Sequence, residues 1–105
     1  MEEIKDKLKE LRDLLSSHGE NYYAKEIDRA LAGPVEKLIA FTTSNELWGG
    51  PGSIADSALG ESRESKRKAE AILAELGELQ FKAGIVNVRT EMWTSAFRHF
   101  QKEGI

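Results

Sequence analysis

Leu47-Trp48-Gly49-Gly50-Pro51-Gly52-Ser53-Ile54-Ala55-Asp56 interrupts a chain that otherwise reads as amphipathic helix. Three glycines and one of the two prolines fall within four residues, directly after a large aromatic. Helices and strands do not tolerate that density of flexible and helix-breaking residues. The stretch is therefore a connection with a specified backbone path. Beyond it, Ser53 and Asp56 have the spacing of a capping box. The serine hydroxyl is expected to accept from the amide of residue 56, and Asp56 to reach back to the amide of Ser53. The short helix so opened runs out through Ser57-Ala58-Leu59-Gly60.

Upstream of the loop, Ile4, Leu8, Leu11 and Leu15 recur at spacings of four, three and four, with Leu14 widening the stripe. This predicts a helix over 2–17, supported on its charged side by a Glu3–Lys7 pair and ended by His18-Gly19. A second helix is expected from about Asn21, as its cap, to Ala32, with Tyr23, Ile27, Ala30 and Leu31 on one face and Gly33-Pro34 as its stop. The short connection makes the first two helices an antiparallel hairpin. Pro34 suits the start of a third helix, with Val35, Leu38, Ile39 and Thr42 along one side and Phe41 adding width. That helix frays through Thr42-Thr43-Ser44-Asn45, whose side chains compete for backbone hydrogen bonds, and Glu46-Leu47-Trp48 adds a last turn.

Downstream, a long helix begins near Ser62. Ala69, Ile72, Leu76, Leu79 and Ala83 carry its spacing, Leu73 lies beside them, and Gly77 marks a point of close helix packing. Residues 84–88 read as a short strand, a linker or a bend in continuous helix. A final helix over about 88–102 follows from the spacing of Ile85, Val88, Met92, Ala96 and Phe100.

The totals bound the function. A chain of 105 residues with 40% hydrophobic and 31% charged residues fits one domain, 1–105, neither disordered nor membrane-embedded. A net charge of -3 argues against a dedicated nucleic-acid binder. The absence of cysteine removes disulfides, thiolate chemistry and cysteine-based zinc sites. No apolar leader or membrane span is evident, which places the protein in the cytoplasm.

No motif for catalysis or cofactor binding emerges. After Gly52 comes Ser53-Ile54, where a Walker loop needs lysine, and there is no Gly-x-Ser-x-Gly elbow. His18 and His99 lie far apart in the chain without metal-ligand spacing; His18 reads as a helix-end residue and His99 as an exposed one beside Phe100. No metal or cofactor is expected. The basic run Arg63, Lys66, Arg67 and Lys68 opposes the dipole of its own helix start. Glu61 and Glu64 dilute it, and Glu64–Lys68 can pair, so it reads as a solvated face. Met92, Trp93, Phe97 and Phe100 read as core, with docking on a partner subunit, and hence a homodimer, as the alternative.

The segment Gly49 to Asp56 resembles a motif in a family of small uncharacterised bacterial helical proteins. The family pattern runs roughly Gly-Gly-Met-Gly-Ser-apolar-Asn-Asp, between an apolar helix and a charged one. Gly49, Gly50, Gly52, Ser53 and Asp56 match, whereas Pro51 and Ala55 replace the methionine and the asparagine. Members of that family resemble the immunity proteins found beside secreted bacterial toxins. The resemblance implies a non-enzymatic protein that binds and blocks a toxin, its acidic balance suiting a basic toxin domain.

The expected fold is thus all-α, a small bundle of four to five helices with the Gly-rich loop between the third helix and the C-terminal ones. The expected contact residues are Trp48, Gly49, Gly50, Gly52, Ser53 and Asp56, with the acidic face of the first helix as a secondary surface; the alternative is a purely architectural loop in which the glycines let two helices approach and Trp48 is a core plug over the joint. The alternative function is a helical adaptor or self-assembling protein that uses its C-terminal aromatic helix.

Overall fold

The leucine spacing at the start of the chain produces α1 (Glu2–Ser17), with Ile4, Leu8, Leu11 and Leu15 all buried. The structure, a computed structural model, describes residues 1–50, 52–57 and 62–104. Pro51, the expected fade-out of the short helix through Ala58, Leu59 and Gly60, and the diluting charge of Glu61 lie outside the described residues. α1 ends in a Schellman motif: Gly19 takes φ +78°, its N–H donates to the Ser16 carbonyl, and the Glu20 N–H donates to Leu15.

α2 (Asn21–Ala32) turns back along α1 and buries Ala24, Ile27 and Ala30. Its N-cap is Glu20 rather than the expected Asn21, which already sits in the first turn. α3 (Val35–Thr42) buries Leu38 and Thr42, while Val35 and Ile39, expected on that side, are exposed on its flank. Thr42 and Thr43 do bond back to the Ile39 carbonyl, and the chain breaks there before α4 (Asn45–Trp48), capped by Ser44. After the loop come α5 (Ile54–Ser57), α6 (Arg63–Ala83) and α7 (Val88–Glu103). The described residues are helical without strands, and the helices exceed the expected four to five because α4 and α5 are separate single turns. Residues 85–87 are an irregular connection between α6, ended by Gly84 at φ +73°, and α7, opened by an Asn87–Thr90 capping box.

α6 is the central helix, packed against α1 on one side and α7 on the other. The expected Glu3–Lys7 pair does not form; the Lys7 ammonium instead bridges Glu10 and, across the α1–α6 interface, Glu75. Buried apolar residues from α1, α2, α3, α4, α5, α6 and α7 join in one cluster, with Trp48 as its largest fully buried side chain.

The α6–α7 contact is close enough to decide which face of α7 turns inward. A β-carbon on Gly77 would lie 1.9 Å from Thr94 Oγ1 and 3.0 Å from Thr94 Cβ. Only a small group fits opposite Gly77, so Thr94 faces inward there, and Thr90 and Phe97 are buried on the same side of α7. Val88 and Met92, expected on the inner stripe, are 83% and 51% exposed. Alanine ordinarily stabilises a helix over glycine by about 1 kcal/mol. Here Gly77→Ala is expected to destabilise by about 1–3 kcal/mol despite that gain, because the crossing must spread or Thr94 must leave its rotamer. Urea midpoints read the change, and Thr94→Ala in the same chain should recover part of the loss. A Gly77→Ala variant as stable as wild type would show that the helices do not approach this closely.

The helix ends explain half of the basic run. α7 lies antiparallel to α6, so its negative C-terminal end meets the first turns of α6. Arg63 and Arg67 each donate to the Gly104 carbonyl, at 3.0 and 2.8 Å. Cations that oppose their own helix dipole thereby compensate that of the neighbour. The expected Glu64–Lys68 pair forms at 3.4 Å on the solvated side.

Candidate functional site

The glycine loop is built from the polar groups of its neighbours. The Gly49 carbonyl accepts from Ser53 Oγ at 2.9 Å and from the Trp93 indole at 3.1 Å. The Gly52 carbonyl accepts from the Tyr23 hydroxyl at 2.7 Å, and the Gly52 N–H donates to Asp56 Oδ2 at 3.2 Å. Ser53 Oγ also accepts from the Asp56 N–H at 3.1 Å, as the capping spacing predicts. The return bond differs: the Ser53 amide is already engaged by the Gly50 carbonyl, so Asp56 caps Gly52 instead. Glycine is required at two points. Gly52 has φ +88°, and a β-carbon at Gly49 would meet the Asn45 carbonyl oxygen at 2.1 Å.

The six residues expected to contact a partner separate into two layers. Trp48 is 0% exposed; Gly49 and Ser53 are buried with it, Gly50 is half-buried, and Gly52 and Asp56 are exposed. The Trp48 indole donates to Gln80 Oε1 at 3.0 Å, and the Gln80 amide donates to the carbonyls of Thr42 and Ile85 at 2.7 and 2.9 Å. The indole thus plugs the core and fixes the loop from beneath, leaving Gly52 and the Asp56 side chain on the outer surface, with Gly50 half-buried beside them. Next to this hub, Asn87 Nδ2 donates to the Thr43 carbonyl at 2.6 Å, so the last carbonyls of α3 are capped by α6 and by the α6–α7 connection.

The acidic face of α1 forms one wall of a groove of about 360 Å³ shared with α6. Glu3 and Asp6 from α1 and Glu75 and Glu78 from α6 line it, against the ammonium groups of Lys7 and Lys82, with Leu79 among the lining side chains. Lys7 is committed to Glu10 and Glu75, and Arg98 pairs with Glu78, holding that carboxyl below its usual range. Among the described residues Glu3 and Asp6 make no ion pair, so the groove keeps unneutralised negative charge at its rim.

The remaining chemistry-bearing residues do not converge. His18 Nε2 lies 3.1 Å from Ser65 Oγ at the α1–α6 end, while His99 is exposed with its ring 6.2 Å from that of Phe100. Among the described residues no group of three His, Asp or Glu side chains is placed to hold a metal ion. None of the described helices is long and apolar enough to cross a membrane.

Sequence reading missed the three buried polar residues of α6, Ser65 and the more deeply buried Glu70 and Gln80. Gln80 falls where the Leu73–Leu76 spacing calls for another apolar residue, and that misfit was the available signal. Glu70 is buried beside Ala69, Leu73 and Ala74, and its Oε1 has no hydrogen-bond partner among the described residues. Desolvation holds this carboxyl above its ordinary range, against the opposing fields of Lys66 and Arg67. Comparison with models of known families, with curated proteins and with solved structures finds no match to the chain.

Proposed function

We propose that this chain is a non-enzymatic protein-binding module that neutralises a bacterial toxin by docking on it, as immunity proteins do. The observation that carries the reading is the α1–α6 groove, where Glu75 and Glu78 are held by Lys7 and Arg98 while Glu3 and Asp6 are left without an ion pair among the described residues. Such a surface suits a basic partner and speeds its approach. The outer rim of the glycine loop supports the same reading as a second contact. It is held by hydrogen bonds from α2, α5 and α7, so presenting it to a partner costs little ordering entropy.

The test is the protein encoded next to this chain. A secreted protein with a toxic C-terminal domain should be encoded there, and that domain should bind the chain and lose its toxicity. Asp6→Lys should then slow association by at least about tenfold at low salt, within the range by which steering raises on-rates. Asp56→Ala should speed dissociation. A toxic neighbour that stays toxic in the presence of the chain would overturn the reading.

A second reading, self-assembly through α7, has one observation in its favour, the exposure of Val88 and Met92 on the outer face of that helix. The aromatic residues first expected to make that interface are otherwise engaged: Phe97 is buried, and Trp93 stacks on it with centroids 5.5 Å apart. A mass by light scattering that rises with concentration would favour this reading.

A further inference from the structure

Glu70 is the one buried carboxylate among the described residues, 1% exposed, with Oε1 lacking any donor. An acceptor of this kind is costly to bury unless a donor reaches it. Glu70 lines a cavity of about 150 Å³ between α6 and the last turns of α7, together with Arg67, Phe100, Gln101 and Gly104. We propose that this cavity binds a compact organic cation with N–H donors, a primary alkylammonium ion.

Two features of the cavity favour such a guest. The Glu70 carboxyl offers the acceptor. Phe100 supplies an aromatic wall, and a ring face attracts a desolvated cation. Arg67, the cation that also lines the cavity, is turned to the Gly104 carbonyl together with Arg63. Lys66 on α6 contributes an opposing field but does not line the cavity. At about 30 Å³ for each water-sized group, the volume admits an ammonium head with a chain of about four carbons.

The test is a titration of the intact chain with n-butylammonium chloride, followed by backbone and side-chain NMR. Sodium chloride at equal ionic strength and tetramethylammonium chloride, a cation without N–H donors, serve as comparisons. Saturable shifts centred on Glu70, Phe100 and Gln101, with a Kd of about 1 mM or tighter, are expected. Glu70→Gln, which keeps the shape and removes the charge, should weaken binding at least tenfold while its own spectrum shows the same fold. The absence of saturable shifts in the wild-type chain would overturn the proposal. So would equal affinity in Glu70→Gln, or tetramethylammonium binding as tight as that of butylammonium.

Discussion

Trp48→Ala is expected to cost about 3–5 kcal/mol of stability, the range for removing a large aromatic from a packed core. Trp48 is 0% exposed and is the largest of the fully buried side chains. Its loss leaves a void between α4 and α6 and strips Gln80 Oε1 of its donor. Against a total of about 5–15 kcal/mol for an ordinary domain, this is a large fraction. Trp48→Phe separates the two contributions, since it restores much of the volume but not the N–H, and should cost about 1–3 kcal/mol. Urea unfolding of the three proteins provides the comparison. A Trp48→Ala midpoint close to wild type would contradict a core role. The size of the effect also governs any binding experiment: Trp48→Ala would impair a partner interaction by unfolding the protein, whereas Asp56→Ala removes an exposed group and reads the loop surface directly.

Gln80→Leu is expected to be of similar severity, about 3 kcal/mol or more, although leucine has nearly the same volume and is more apolar. The side chain is 0% exposed and joins three partners from separate parts of the chain. Removing it orphans the Trp48 N–H and the carbonyls of Thr42 and Ile85. Each buried group left unpaired costs about 1–3 kcal/mol, and the apolar gain from leucine offsets only part of that. Trp48→Phe and Gln80→Leu share one hydrogen bond, so the double mutant should be less destabilised than the sum of the singles, by about 0.5–3 kcal/mol. Strict additivity, or a Gln80→Leu protein more stable than wild type, would show that the three bonds contribute little.

These residues also mark how far the sequence could be read. The bounds of α1 and α2 and the leucine stripe of α1 were legible because their stop signals and spacing lie within a single local window, whereas the α2 cap fell one residue early, at Glu20, and Ala24 took the buried place expected of Tyr23. The Ser53–Asp56 turn was legible for the same reason. The inward face of α7 was not. Its apolar spacing pointed to Val88 and Met92, but the close crossing at Gly77 selects the face with threonines, and that glycine lies 17 positions before Thr94 in the chain. For Trp48 the core plug and the exposed contact residue could not be told apart, since its burial is secured by Gln80, 32 residues further on. The acidic face of α1 was visible as a pattern, yet the groove needed the carboxylates of α6 to acquire its second wall.

The bend at Gly49–Ser53 is fastened from both sides, by Trp93 and Tyr23 as well as by its own serine and by Asp56. An added or deleted residue there would pull those anchors out of register. Descendants of this chain therefore have little freedom to vary the bend in length. Their room to diverge lies in the outward side chains of the long helices, which can be exchanged one at a time without disturbing the frame that holds them.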